Sequence, residues 1–390
     1  MALDNTPLSK RIHIGIFGCT NAGKSSVVNA ITNQNTALVS DVKGTTTDPV
    51  IKSMELLPVG PVAIIDTAGI DDNGILGKDR IERTLKMLDK TDVAVLISDA
   101  NSGLNNFDKD LIELFKKKEI KYIVAYNKCD LIKDKKDNLL YVSAKTGEGI
   151  DDLKKEIASL ASRNDIQKPI LYGLVEKGDI VVLVTPIDEA APKGRLILPQ
   201  QMTIRDCLDH GAIAMVTKET ELKETLDSLS KKPKLVICDS QVFKFVDGIV
   251  PGDIPLTSFS ILMARYNGYL DLAISGISAL ESLKDGDRIL IAEGCTHHRQ
   301  CNDIGTVKIP KGLSSYTGKN LEISTCSGGD FPSDLSSYSL IVHCGGCMIT
   351  PKEVKSRMEY ALSQNVPVTN YGTLLAHING ILKRSTEIFM

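Results

Sequence analysis

The sequence predicts an α/β protein in three parts, and three observations predict it. Short apolar strands alternate with helical stretches from residue 11 to about residue 160, the pattern of a parallel sheet covered on both faces. A glycine-rich loop, Gly18 to Ser25, follows the first of those strands and opens a helix. Two further α/β alternations come after the polar stretch Ser162–Pro169, and Pro251-Gly252-Asp253-Ile254-Pro255 separates them. The 390-residue length also suits two or three domains at roughly 150 residues each. The expected divisions are 1–165, 170–254 and 256–390.

In the first part the strands read as Ile12–Phe17, Val62–Asp66, Val93–Ser98, Tyr122–Asn127 and Leu139–Val142, with Lys154–Ser162 as the closing helix. The second part reads as strand Val181–Pro186, helix Thr203–His210, strand Ala212–Thr217, helix Glu219–Leu229 and strand Lys234–Cys238, a small unit without a phosphate loop. The third opens with the apolar, helix-compatible stretch Leu256–Leu283 and continues with strands Arg288–Ala292, Asn320–Thr325 and Ser339–His343. Thr350-Pro351-Lys352-Glu353 is a helix start, with an N-cap Thr, Pro at the first position and Glu353 placed for a capping box. Pro367–Thr369 and Leu374–Lys383 read as a last strand and helix. No repeat of solenoid period stands out, although the second and third parts are both α/β.

Composition narrows the function. With 42% hydrophobic and 24% charged residues the chain has an ordinary globular balance, and its net charge of −3 does not mark a nucleic-acid surface. No apolar run approaches the roughly 20 residues of a membrane helix, and Met1–Pro7 lacks an apolar signal core, so a cytoplasmic protein is expected. Nine Cys then read as reduced thiols. Cys295, Cys301, Cys326, Cys344 and Cys347 cluster in the last third and point to metal binding, whereas Cys19, Cys129, Cys207 and Cys238 sit in motif or core contexts.

The loop Gly18-Cys19-Thr20-Asn21-Ala22-Gly23-Lys24-Ser25 has the form whose backbone N–H groups cradle phosphates. Its candidate contacts are Gly18, Asn21, Ala22, Gly23, Lys24, Ser25 and Ser26, with Lys24 on the β/γ oxygens and Ser25 on Mg²⁺. The partner motifs follow in order. Thr45-Thr46-Thr47-Asp48 lies where a switch threonine meets Mg²⁺ and the γ-phosphate, with Thr46 assigned to catalysis and Thr45 to binding. In Asp66-Thr67-Ala68-Gly69, Asp66 reaches Mg²⁺ through water and the Gly69 N–H senses the γ-phosphate. Asn127-Lys128-Cys129-Asp130 offers a carboxylate to the guanine N1 and N2 donors, which adenine lacks, and Ser143-Ala144-Lys145 completes the base pocket. The chain is therefore expected to bind and hydrolyse GTP. Ile70 stands where Ras-like enzymes place a water-orienting Gln, so hydrolysis should be slow.

In the last third, Cys295 follows one strand and Cys344 another. The carboxyl ends of strands in an open parallel sheet are where distant segments converge on a ligand. Gly345-Gly346 lets Cys344 and Cys347 turn inward together, and the helix starting at Pro351 favours an anionic cluster at its N-terminus. Three Cys with one or two of His297, His298 and His343 satisfy structural Zn²⁺; three Cys also hold a [4Fe–4S] cluster with one iron open. Glu293, Asp303, Cys301 and Cys326 are alternative fourth ligands, and the residues leave the metal undecided.

Asn21 with the Gly44-Thr45-Thr46-Thr47-Asp48 switch resembles the TrmE-Era-EngA GTPases, several of which use that Asn to hold K⁺; the resemblance implies K⁺-stimulated hydrolysis. The whole set, Gly18–Ser25, Asp66–Gly69 and Asn127–Asp130 with Cys295-x-His297 and His343-Cys344-x-x-Cys347, resembles the [FeFe]-hydrogenase maturation GTPase (HydF) family over essentially the full chain. That resemblance implies a GTP-binding domain, a middle dimerisation domain and a C-terminal [4Fe–4S] domain. It implies cluster ligands Cys295, Cys344 and Cys347, with His297 and His343 as helpers or exchangeable fourth ligands. The function it implies is a scaffold that carries a two-iron CO/CN⁻ precursor to apo-[FeFe]-hydrogenase, with two radical-SAM maturases as further partners and a homodimer formed near residues 170–260.

Two other readings compete. One is a GTPase of RNA modification, which the mild acidity opposes; the other is a GTPase switch whose metal is a structural Zn²⁺. Coupling through the switch regions Val42–Asp48 and Ile70–Arg80 to a domain contact is a further expectation.

Overall fold

The computed structural model describes residues 6–32, 50–67, 84–162, 168–187, 196–295 and 303–390. It divides into two compact units, 1–166 and 167–390.

The first unit is a six-stranded sheet in the order β2-β3-β1-β4-β5-β6, built from β1 (Ile12–Phe17), β2 (Val50–Leu56), β3 (Gly60–Asp66), β4 (Val93–Asp99), β5 (Lys121–Asn127) and β6 (Leu140–Tyr141). The pairing is parallel except for β2, an antiparallel edge strand missed by the sequence reading because its exposed residues blur the alternation. Central strands are apolar on both faces. In β4, Val95 and Ile97 join a core with Val27, Val28 and Ile31 of α1 (Lys24–Thr32) and Leu153 and Ile157 of α3 (Ile150–Ser162). The alternate residues Ala94 and Leu96 pack with Leu111 and Phe115 of α2 (Asn106–Lys117). Covering both faces leaves the carboxyl ends of β1, β3, β5 and β6 along one edge, where the loops that carry function emerge.

The second unit holds two four-stranded parallel sheets. One comprises β7 (Ile180–Val184), β8 (Ile213–Thr217), β9 (Leu235–Cys238) and β10 (Leu256–Ser258), in the order β10-β9-β7-β8. The other comprises β11 (Arg288–Glu293), β12 (Glu322–Ser327), β13 (Leu340–His343) and β14 (Val368–Asn370), in the order β12-β11-β13-β14. A shared core joins them, running from Val182, Val236 and Leu256 to Leu290, Ile341 and Val368.

These two sheets are copies of one framework. In each, the first strand is central, the second lies to one side, and the third and fourth lie to the other. The turn bonds repeat as well: Gly178 N–H to Gly211 O (2.9 Å) matches Gly286 N–H to Asn320 O (2.8 Å), and Val236 N–H to Pro255 O matches Ile341 N–H to Pro367 O, both 2.9 Å. Asp179 and Asp287 each accept from the backbone N–H three residues earlier, at 2.9 and 2.8 Å. Once aligned, the sequences agree at Pro255/Pro367, Thr257/Thr369, Leu262/Leu374, Ala264/Ala376, Asn267/Asn379, Gly268/Gly380 and Leu270/Leu382.

That framework corrects the reading of Leu256–Leu283 as one helical stretch. Leu256–Ser258 is a strand, Ser258 caps α7 (Phe259–Tyr266) by accepting from Ile261 N–H at 3.2 Å, and Asn267-Gly268 ends it. A short helix α8 (Leu270–Ser275) and a 3₁₀ stretch follow. Among the described residues no helix is long and apolar enough to cross a membrane.

Candidate nucleotide and thiolate sites

In the first unit the phosphate loop joins β1 to α1. Gly23 has φ +89°, the left-handed region, and a Cβ there would lie 2.3 Å from the Asn127 Nδ2 atom. Asn127 closes the loop from the other side: its Nδ2 donates to Ala22 O (2.9 Å) and its Oδ1 accepts from Ala144 N–H (3.1 Å). One side chain thereby ties the phosphate loop to the Ser143-Ala144-Lys145 loop. Lys24 is buried and donates to Gly18 O (2.8 Å) and Cys19 O (2.9 Å), so its ammonium is held at the mouth of the loop. Ser25, Ser26 and Asn21 are exposed at the same edge, and Asn21 adopts φ +64°.

Base-pocket residues meet at the ends of β5 and β6. Ser143 Oγ donates to Asp130 Oδ1 at 2.7 Å, and this hydrogen bond holds the exposed Asp130 carboxyl below the usual carboxylate range. Lys128 has φ +65° and pairs with Asp99 at 2.7 Å. Lys145 is exposed and Asp66 is buried at the end of β3. Thr45, Thr46, Thr47, Gly69 and Ile70 lie outside the described residues. The sequence reading missed a brace from α2: Asn105 Nδ2 donates to Cys19 Sγ (2.9 Å), and the same Asn105 caps α2 together with the buried Asp108. An Asn three residues before an Asp was the available signal.

The thiolate site lies where the second framework copy changes direction. β11 hands the chain to β12 on one side while β13 and β14 lie on the other, so a crevice opens at the carboxyl ends of β11 and β13. Cys295 and Cys344 follow those two strands. The Cys344 N–H closes the ladder on Ala292 O (2.9 Å), and Cys344 Sγ accepts from Gly294 N–H (3.0 Å) and Gly346 N–H (3.3 Å). Gly346 takes φ +67°, where a Cβ would meet Val354 at 2.8 Å; only glycine allows the loop to bring its N–H back to the sulfur. Burial pushes the Cys295 thiol up to about 12, and the neighbouring Cys344 and Cys347 sulfurs push the same way, followed by Glu293 and Asp303. Burial also raises Cys344. Thiolates are soft donors for a metal or an iron–sulfur cluster, and the two N–H groups aimed at the Cys344 sulfur suit its charged form. Among the described residues no group of three or more His, Cys, Asp or Glu is arranged around a single metal ion.

Neutral donors fix the loop's carbonyls. Tyr269 OH donates to Cys344 O (3.0 Å), Asn370 Nδ2 donates to Tyr269 OH (3.0 Å), and Asn267 Nδ2 donates to Gly345 O (3.0 Å). His343 is fully buried, its Nδ1 lies 2.7 Å from Cys344 O and must carry the proton, and its Nε2 has no hydrogen-bond partner among the described residues. Burial, then the nearby Arg357, lowers the His343 imidazole to about 3. His297, His298 and Cys301 lie outside the described residues. Glu293 is buried and accepts from Tyr371 OH at 3.3 Å, and Cys326, raised to about 11 by burial, ends β12 beside Ala292. Thr350 caps α10 (Pro351–Ser363) as the sequence indicates, its Oγ1 accepting from Glu353 N–H at 3.1 Å. The Glu353 carboxylate receives Arg357 Nη2 at 2.7 Å, because a buried guanidinium one turn on requires a counter-ion.

Residues 170–268 match the hydrogen maturase F dimerization domain, residues 271–388 the hydrogen maturase F tetramerization domain, and residues 13–128 the 50S ribosome-binding GTPase family. Similar curated proteins include the tRNA modification GTPase MnmE of Prochlorococcus marinus (strain NATL1A), 38% identical over 154 residues, 36% of this chain and 33% of that protein. GTPase Der of Kosmotoga olearia is 28% identical over 218 residues, 50% of this chain and 49% of its own. GTPase Der of Campylobacter concisus is 40% identical over 153 residues, 38% of this chain and 30% of its own. The matched stretches thus span from 30% to about half of these relatives.

Gly23→Ala is expected to weaken nucleotide binding about 5- to 150-fold. A non-glycine residue held in such a conformation costs about 1–3 kcal/mol, and the added Cβ collides with Asn127 as well. Titration with a fluorescent GDP analogue measures it; affinity within twofold of wild type would contradict this account of the loop.

Proposed function

The chain belongs to the hydrogen maturase F family, whose two domains take in more than half of it, and on that premise we propose that it is a GTPase scaffold of [FeFe]-hydrogenase maturation. In this reading Cys295, Cys344 and Cys347 hold a [4Fe–4S] cluster. Its cargo is the two-iron precursor carrying CO and CN⁻, its recipient is apo-hydrogenase, and two radical-SAM maturases act before it. The observation that carries the reading is the cradle at the adjoining ends of β11 and β13, where Cys295 and Cys344 follow paired strands and the Gly294 and Gly346 N–H groups both donate to the Cys344 sulfur. A bound cluster would supply a cationic iron core that lets those thiolates ionise together and presents an iron open to exchange.

The chain's own residues do the rest. Gly294 and Gly346 N–H groups hold the Cys344 sulfur as a hydrogen-bond acceptor, while His343, Tyr269 and Asn267 hold the loop carbonyls away from it. The fourth position is open to His297, His343 or Glu293; His343 has only Nε2 to offer, since Nδ1–H serves the Cys344 carbonyl. In the first unit Lys24 leaves the Gly18 and Cys19 carbonyls for the β/γ-phosphates, Ser25 and Asp66 hold Mg²⁺, and Thr46 and the Gly69 N–H meet the γ-phosphate. Asp130, kept ionised by Ser143, accepts from the guanine base. Asn21, exposed in the loop, would hold K⁺ in the place of an arginine finger. Residues 1–165 serve GTP, 170–254 with β10 serve self-association, and the remainder serves the cluster. The Prochlorococcus relative named for tRNA modification is matched over 36% of this chain, and RNA has no part in this proposal. Self-association is assigned to β8, an edge strand among the described residues, where Ile213 and Val216 are each about half exposed.

Anaerobic reconstitution should load about four iron and four sulfide per chain, lost in the Cys344→Ala/Cys347→Ala double variant. One Zn and no sulfide would leave a structural metal and end the scaffold reading. Replacing Na⁺ by K⁺ should speed GTP turnover about tenfold or more, up to the roughly 10³–10⁵ that an arginine finger supplies, and Asn21→Ala should abolish the difference; equal rates in both salts would remove K⁺ from the mechanism. Val216→Lys should convert a dimer to monomer in sedimentation velocity, and an unchanged dimer would move the interface elsewhere.

A further inference from the structure

The two framework copies differ most where one has cysteines and the other has none. After β9 the chain enters α6 (Phe243–Asp247), a helix of little more than one turn. After β13 the corresponding connection carries the cysteine loop and the far longer α10. Whatever α10 adds is therefore not needed by the framework itself, since the first copy forms the same sheet without it.

What it adds in its interior is Arg357. The side chain is 5% exposed, on a helix that begins four residues after Cys347. Its Nη2 donates to Glu353 Oε1 (2.7 Å) and to the Gly328 carbonyl just past β12, and its guanidinium lies over the Phe331 ring at 5.1 Å. Nη1 is buried and has no hydrogen-bond partner among the described residues. A guanidinium cannot shed its proton to escape such a place, and an unmet buried donor is costly. Its cost is offset only if the charge itself is useful nearby. Gly328, whose carbonyl Arg357 meets, donates its own N–H to Glu293 O (3.0 Å), and the next residue after Glu293, Gly294, donates to the Cys344 sulfur, so the guanidinium stands at the strand ends that carry the cysteine loop.

We propose that Arg357 is the counter-charge of the thiolate site, set behind the cysteine loop to stabilise the added electron of the bound iron–sulfur cluster and so hold its reduction potential up. The proposal rests on the cluster reading above. Arg357 is a positioning residue: it touches neither cluster nor cargo, and acts through its charge. The relevant step is a one-electron reduction in which the external reductant gives one electron to the cluster and no bond is made or broken. Each such electron makes the buried site one unit more negative, where a fixed cation in low dielectric has its largest effect. Glu353 acts in the opposite sense and sets how much of the Arg357 charge is felt.

The test uses the full chain, reconstituted anaerobically with ferrous iron and sulfide and titrated with dithionite while the reduced cluster is followed by EPR. Arg357→Gln is expected to move the midpoint potential downward, Arg357→Lys to leave it near wild type, and Glu353→Gln to move it upward. Opposite signs at two partners of one ion pair cannot come from a shared structural role, which would lower iron content in both alike. An unchanged potential in a fully loaded Arg357→Gln variant overturns the proposal. If that variant loads no cluster, Glu353→Gln decides alone: an upward shift supports it, and no shift or a downward one overturns it. Wild-type protein that takes up no iron and sulfide would overturn the cluster reading first, and this inference with it.

Discussion

The peptide N–H of Cys344 donates to the carbonyl of Ala292 at 2.9 Å, and the second unit is organised around that last rung between β11 and β13. Beyond it the strands cannot continue to pair, because one turns back toward β12 and the other toward β14. The next backbone donor on β11's side, Gly294 N–H, goes to the Cys344 sulfur instead of to a carbonyl. A ladder that ends by donating to sulfur turns ordinary parallel-sheet geometry into a thiolate cradle. The first copy ends with the equivalent rung, Asp239 N–H to Val184 O at 3.3 Å, and places a carboxylate where the second places Cys344.

Electrostatics then decides what the cradle accepts. Burial disfavours each thiolate, and adjacency disfavours each further one. The polar groups fixing the loop, Tyr269, Asn267, Asn370 and the His343 Nδ1–H, are neutral and meet carbonyls, so they shape the site without charging it. His343 is too deeply buried to ionise at ordinary pH. Charge comes from Arg357 and its partner Glu353 behind the loop, and from Glu293 and Asp303 near Cys295.

Much of this was legible in the sequence where chemistry forces a residue type. A phosphate loop needs Gly23 and Lys24, guanine selection needs Asp130, and a helix start announces itself in Thr350-Pro351. Cys295 and Cys344 could be placed at strand ends because the apolar runs before them are short and β-branched. Legibility failed where packing overrides local pattern. Leu256–Leu283 is apolar enough for one helix, yet Ser258 and Gly268 cut it into strand and helices because β10 must pair with β9. The internal duplication escaped notice because its matches, such as Pro255/Pro367 and Asn267/Asn379, are scattered singly among changed residues. Glu353 and Arg357 look like a solvated helical pair at spacing four; only the depth of α10 reveals them as buried.

The duplication bears on what a carrier must be able to survive. The first copy has no cysteine loop, its Cys207 and Cys238 being buried in the core, and still forms its sheet, turns and helix caps, so the framework's architecture is specified by its hydrocarbon interior rather than by inorganic cross-linking. Zinc fingers are the contrary case, where withdrawing the ion unfolds the chain. A protein built on this plan keeps its shape when empty. On the scaffold reading proposed above, loading and unloading would be reversible exchanges at a standing receptacle, with no step of refolding.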